Sequence, residues 1–176
     1  DTGVDYTHPD LVGNIWINQG ELPPTITEPE LFVLLDTDGD GEISASEIIS
    51  NGDFLWDING DGLVDLKDAL SNVIGSVSPF MDNQDNDGNG YVDDLIGWDG
   101  SGQWGTADND PFPKTEGIAN NSTWAHGSHV AGILAATSDN EVGMASTAFN
   151  GKIMSVKTSK DGPSTDDPGI WSGYQG

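Results

Sequence analysis

The sequence predicts an α/β fold, and three segments carry that prediction. Residues 126–137 bring Val130, Ile133, Leu134 and Thr137 to one side of a helix. Residues 152–157 (Lys152-Ile153-Met154-Ser155-Val156-Lys157) alternate as a strand does. Residues 1–5 (Asp1-Thr2-Gly3-Val4-Asp5) read as the end of a strand. A helix followed by a strand is the order of an α/β unit.

The other elements follow along the chain. Pro9-Asp10-Leu11-Val12 predicts a short helix or turn. Glu21-Leu22-Pro23-Pro24 is a Pro-rich hinge that disfavours helix. Residues 28–35 have helical composition. Residues 65–77 carry Leu66, Leu70, Val73 and Ile74 at near-helical spacing, which predicts a helix there. Residues 170–176 read as the start of one more.

Composition narrows the function. The 176 residues carry 5 Lys and no Arg against 30 Asp plus Glu, a formal charge of −25. Such a balance argues against nucleic acid and anionic membranes as partners, and suits a chain that binds cations or stays soluble in salty water. With no Cys, disulfides, Cys–zinc sites and thiol catalysis are excluded. No run approaches the ~18 apolar residues of a membrane span. The first residue already lies inside a motif, so the chain reads as an internal piece of a longer protein.

The acids are concentrated. Residues 36–94, a third of the chain, hold 15 of the 30. Within them Asp36-Thr37-Asp38-Gly39-Asp40-Gly41-Glu42-Ile43-Ser44-Ala45-Ser46-Glu47 fits the EF-hand loop at every defined position. Asp36, Asp38 and Asp40 at alternate positions converge as the loop coils, and Gly41 permits the bend. Glu42 offers its carbonyl, and Glu47 at position twelve is long enough to bind through both oxygens.

Asp57-Ile58-Asn59-Gly60-Asp61-Gly62-Leu63-Val64-Asp65-Leu66-Lys67-Asp68 repeats the pattern 21 residues later. Its candidate ligands are Asp57, Asn59, Asp61 and Asp68. The shorter Asp68 makes two-oxygen binding harder, as in the calcium loops of dockerin modules, which this loop resembles. Residues 48–56 leave room for one short helix or an irregular link.

A third stretch, 85–94, offers Asp85, Asp87, Asn89 and Asp93. Its register is open: a start at Asp85 leaves Ile96 at position twelve, whereas a start at Asn83 places Asp94 there. Calcium is the cofactor that these oxygen-rich loops imply. Three such ions would bring −25 to −19 and relieve much self-repulsion.

Two further motifs carry acid–base chemistry. His126-Gly127-Ser128-His129-Val130-Ala131-Gly132 opens the expected helix. A His at a helix N-terminus is kept neutral by the backbone dipoles and can accept a proton. Asp1, at the end of the expected strand, is the kind of residue that fixes a His tautomer. Taken alone, HxxH also suits a structural pair, and Asp-Thr-Gly also occurs in aspartic proteases. A second such half is absent from this sequence.

Together the segments resemble the subtilisin-like serine proteases. Residues 1–11 resemble their aspartate motif and residues 126–132 their histidine motif. Residues 87–99 resemble a calcium-binding stretch that many of them carry, and Gly143-Met144-Ala145 with 152–157 resembles the segment after the histidine helix. The resemblance implies a three-layer α/β/α fold around a mostly parallel sheet and endopeptidase cleavage of polypeptides by acyl transfer. Asp1 would orient, His126 would act as general base, and His129 would be structural. Residues 1–21 and 82–176 would form part of the catalytic domain. Residues 22–81 would be a calcium-binding insertion, a possible docking region for a protein partner.

Ala125 and Ser128 depart from the usual Gly and Thr. No Ser here lies in the family's Gly-Thr-Ser nucleophile motif, so the nucleophile is expected outside the chain and the piece alone to be inactive. The resemblance and the calcium loops place the protein outside the cytoplasm, secreted or at the cell surface. The alternative is a non-catalytic calcium-binding or adhesion module on a degenerate protease scaffold.

Overall fold

The computed structural model describes residues 1–100, 107–114 and 124–159. Two short 3₁₀ turns, Val12–Asn14 and Gln19–Glu21, precede four helices: α1 Pro24–Thr27, α2 Pro29–Leu35, α3 Ala45–Ser50 and α4 Leu66–Ala69. A hairpin of β1 Asn72–Val73 and β2 Ser76–Val77 follows, then β3 Gly97–Asp99, α5 His126–Ala135 and β4 Ser155–Lys157. The expectation for residues 170–176 lies outside the described residues.

The α/β unit at the end of the chain forms as expected. After α5 the chain returns to β4, which pairs in parallel with β3 in the register Gly97–Ser155, Trp98–Val156 and Asp99–Lys157. A parallel bridge between Ile15 and Ile153 extends the contact. Residues 1–5 form no strand and pair with no described strand, and Gly3 has φ 91°. The Asp1 carbonyl instead accepts from the amides of Thr158 (2.9 Å) and Ser159 (3.1 Å), just past β4.

Three local expectations are corrected. Pro24 does not prevent a helix; it starts α1 as its first residue, where a missing N–H costs nothing. The helix expected over 65–77 spans only Leu66–Ala69. The chain then turns through Ile74–Gly75, with Gly75 at φ 92°, and pairs Asn72 with Val77. The apolar side expected on residues 126–137 faces outward. Val130, Ile133 and Leu134 are about half exposed, while α5 packs inward through Gly127, Ala131 and Ala135.

The core is one buried cluster shared by the acidic middle of the chain and its two ends. Ile15, Ile17, Leu95 and Ile153 join Leu35, Ile43, Ile48, Leu55 and Leu66 in it. The first two acidic loops send Ile43 and Ile58 inward and keep Asp38, Asp40, Asp57 and Asp61 exposed, while the last residue of each, Glu47 or Asp68, is buried. One ion pair lies inside the sheet. Asp99 and Lys157, both fully buried, meet at 2.5 Å, and Lys114 reaches the same carboxylate at 3.3 Å. Two of the chain's five Lys thus converge on one carboxylate, which offsets the cost of burying its charge.

Candidate functional site

The two motifs far apart in the sequence meet in space. His126 Nδ1 lies 2.9 Å from both carboxylate oxygens of Asp1, across 125 positions. Asp1 is held by its own carbonyl, as described, and its Oδ1 also accepts from the Thr2 amide at 2.6 Å. His126 is the first residue of α5, and its side chain is 58% exposed. With Nδ1 facing a carboxylate, that nitrogen carries the proton. Nε2 is left as the basic one, which is the arrangement a general base needs.

Thr2 and Gly127 fix this geometry. The Thr2 hydroxyl donates to the Trp124 carbonyl (3.0 Å) and accepts from the Gly127 amide (2.9 Å). One hydroxyl therefore satisfies an orphan amide at the start of α5 and the carbonyl just before it. Ser128 Oγ accepts from the Asp5 amide at 2.9 Å, so its hydroxyl ties the two segments together. His129 lies three residues along α5 and lines a groove of about 660 Å³ with His8, Asp10, Trp124, Ile133 and Met144. Asp1 and His126 do not line it.

The first two acidic loops have one geometry. The Asp36 carboxylate accepts from the amides of Gly39 (2.7 Å) and Gly41 (3.1 Å), and Asp57 does the same with Gly60 (2.7 Å) and Gly62 (3.0 Å). Glu47 closes the first loop. One of its oxygens takes the amides of Thr37 (2.7 Å) and Asp38 (3.3 Å), the other that of Ser44 (2.8 Å). Asp68 closes the second in the same way, with Ile58 (2.7 Å), Asn59 (3.0 Å) and Asp65 (3.0 Å). Oxygens of Asp36, Asp38 and Asp40 come within 4.8 Å of one another. Asp61 sits as Asp40 does, accepting from the next-but-one amide, and Glu42 and Leu63 donate those amides. Burial would raise the Glu47 carboxyl, but hydrogen bonds from Ser44 and Thr37 outweigh it and bring it down to about 2.

The third loop starts at Asp85, which resolves the open register. Asp85 accepts from Gly88 (2.8 Å) and Gly90 (2.9 Å), as the first residue of each other loop does. Gly41, Gly62 and Gly90 share φ values of 89–97°, which only Gly adopts freely. Asp87 Oδ1 accepts from the Asn89 amide and Asn89 Oδ1 from that of Tyr91. Position twelve is then Ile96, fully buried and without a ligand atom.

The closing carboxylate comes from elsewhere. Glu21 Oε2 takes the amides of Asn86 (3.1 Å) and Asp87 (3.3 Å), and Oε1 that of Asp93 (2.7 Å). Glu21, Asp87 and Asp94 offer oxygens within 4.8 Å of one another. Asp93 is engaged differently: its carboxylate accepts from the amides of Asp82 and Asn83, outside that trio. Burial raises the carboxyls of Glu21, Asp93 and Asp94.

Residues 1–174 match the family model described as the Subtilase family. The chain belongs to the subtilase family. No curated protein and no solved structure matches it. As a subtilase it is, at family level, a serine protease with polypeptide substrates and an α/β fold. Among the described residues, no helix is long and apolar enough to cross a membrane.

Sequence reasoning misses three residues of the subtilase's site region: Thr2, which it reads only as part of a short motif, and Asn18 and Glu21; Asp94 enters only through the register that starts at Asn83. For Glu21 a signal existed. A loop that begins at Asp85 has an apolar residue where the closing acid belongs, so an acid must come from another segment or the loop has none.

Proposed function

We propose that this chain is the Asp–His part of a calcium-dependent, subtilisin-like serine endopeptidase that acts outside the cytoplasm. One observation carries the catalytic half of this reading: the Asp1 carboxylate sits 2.9 Å from His126 Nδ1. Asp1 fixes the tautomer and stabilises the cation, and His126 Nε2 takes the proton of a Ser hydroxyl as it attacks the peptide carbonyl. That Ser lies beyond these residues, since none here is in a Gly-Thr-Ser context. The parallel β3–β4 pair and the outward apolar side of α5 suit a three-layer domain whose further layer covers that side.

The acidic loops fit calcium by their donor sets. Each gathers hard oxygen donors at alternate positions and a backbone carbonyl at position seven. Asp36, Asp38, Asp40, Glu42 and Glu47 would hold one ion. Asp57, Asn59, Asp61 and Asp68 would hold a second, more weakly. The third loop offers Asp85, Asp87 and Asn89, with Asp94 and Glu21 at its side. When bound, the ion supplies positive charge to a chain of formal charge −25 and orders the loops that carry it. Residues 22–81 form the calcium-binding insertion, and a protein partner would dock there.

A serine-directed fluorophosphonate probe tests the catalytic reading. The protease comprising this chain and its continuation is labelled, and His126→Ala abolishes labelling. Labelling of the 176-residue chain alone would contradict the assignment of the nucleophile elsewhere.

A further inference from the structure

We infer that Glu21 is the twelfth-position carboxylate of the third loop, delivered from the opposite end of the insertion, so that a calcium ion there fastens both ends of the insertion together. The inference rests on the calcium reading above and goes beyond it by naming the residue and its consequence.

The argument is a comparison within one molecule. In the first loop the closing Glu47 accepts from the amides at positions two, three and nine; in the second, Asp68 does the same. In the third, counted from Asp85, positions two, three and nine are Asn86, Asp87 and Asp93. Those three amides donate to Glu21. The division between oxygens is also the same: one takes positions two and three, the other takes position nine. Glu21 therefore occupies the place of Glu47 and Asp68, although it lies 64 residues before Asp85.

The residues around Glu21 are shaped for this role. Gly20 lets the backbone approach the loop; a Cβ there would stand 2.8 Å from the Asp87 Cβ. Asn18 Nδ2 donates to Asp87 (2.9 Å) and to Asp94 (3.0 Å), and so holds two carboxylates of the convergent trio. Gln19, between them, turns to the first loop and pairs with both backbone groups of Ile43, at 2.8 and 2.9 Å. The segment Asn18–Glu21 thus joins the first loop to the third.

The consequence is mechanical. Glu21 is the last residue before the insertion of 22–81, and the third loop begins four positions after it ends. A self-contained EF-type loop orders only itself. A loop closed by Glu21 orders the entry and the exit of the insertion together, and binds well only while they are together.

Terbium(III), a luminescent stand-in for calcium, tests this in the 176-residue chain. Tyr91 is at position seven of the third loop, where the first and second have Glu42 and Leu63. Tyr91-sensitised luminescence, defined by its loss in Tyr91→Leu, therefore reports the third loop. In Glu21→Gln, terbium affinity at the third loop should fall by at least the roughly ten- to a hundred-fold that loss of a residue merely supporting a metal ligand costs. Calcium titration should show the other two sites unchanged. In the wild type, calcium should protect the chain near 22 and 81 from protease, and in Glu21→Gln it should not.

Unchanged third-loop affinity in Glu21→Gln would overturn the inference. A wild type that takes up neither terbium nor calcium would instead overturn the calcium reading itself. Should Glu21→Gln not fold, Glu21→Asp keeps the charge and shortens the reach. Luminescence lifetimes in light and heavy water should then count more metal-bound water than in the wild type, and an unchanged count would overturn the inference.

Discussion

Gly127 lies directly against the carbonyl of Gly3: a Cβ at position 127 would stand 2.1 Å from that oxygen and 3.1 Å from Thr2 Oγ1. The residue after His126 therefore has no room for a side chain, and the contact sets how closely α5 approaches the Asp1 segment. Gly127→Ala must push the start of α5 away. Overpacking of this kind costs about 1–3 kcal/mol. A shift of roughly 1 Å at the His would lower kcat/KM of the intact protease about 100-fold. Loss of the Asp1–His126 hydrogen bond should show directly as an upfield shift of the Nδ1 proton in NMR. Wild-type kinetics in this variant would mean that α5 has slack which the packing does not show.

Asp1→Asn keeps the size of the side chain and removes its charge. The amide can present its NH₂ to Nδ1, which favours the wrong tautomer of His126. By the logic of Ser-His-Asp catalysis the intact protease should lose about 10⁴-fold in kcat, with KM little changed. A loss shared equally between kcat and KM would point to a binding role for Asp1 instead.

How much of this was legible depends on distance along the chain. The first two loops were, because the carboxylates and amides that coil each of them lie within one stretch of twelve residues, although Ile43 also pairs with the distant Gln19. The third was only half legible: Asp85, Asp87 and Asn89 follow the pattern, but the carboxylate that takes its amides is Glu21, 64 residues before Asp85 and inside what reads as a Pro-rich hinge. Asp1 and His126 stood out as motifs, while their contact came from tertiary structure. Periodicity misled over 65–77. The capping box of Asp65 and Asp68 does start a helix there. Leu66 on it and Leu70 just past it are buried, but Val73 and Ile74 belong to an exposed hairpin. Propensity alone does not decide so short a segment.

Glu47 makes the first loop sensitive to acid in calcium-free solution. Its carboxyl is held at about 2, below the ordinary 4.5, by hydrogen bonds that exist only in the folded loop. A carboxyl lowered by folding contributes stability that is present above the ordinary value and is lost as pH falls toward the folded one. Urea unfolding of the wild type and Glu47→Gln should therefore differ most above about pH 4.5 and converge as pH approaches 2. A difference that did not change over that range would mean that Glu47 acts through its shape and not its charge.

Thr2 separates the hydroxyl's role from that of the methyl beside it. Its hydroxyl donates to the Trp124 carbonyl and accepts from the Gly127 amide, and both bonds are buried. Thr2→Val preserves the volume and leaves both backbone groups without a partner. Each unsatisfied buried group costs about 1–3 kcal/mol. The start of α5 should loosen, which amide hydrogen exchange at Gly127 and Ser128 would report as faster opening. Thr2→Ser keeps the hydroxyl and loses only a methyl, so it should exchange nearly as the wild type does. If Thr2→Ser and Thr2→Val loosened α5 equally, packing of the methyl would be what holds the His126 segment to Asp1, and the hydrogen bonds would be incidental.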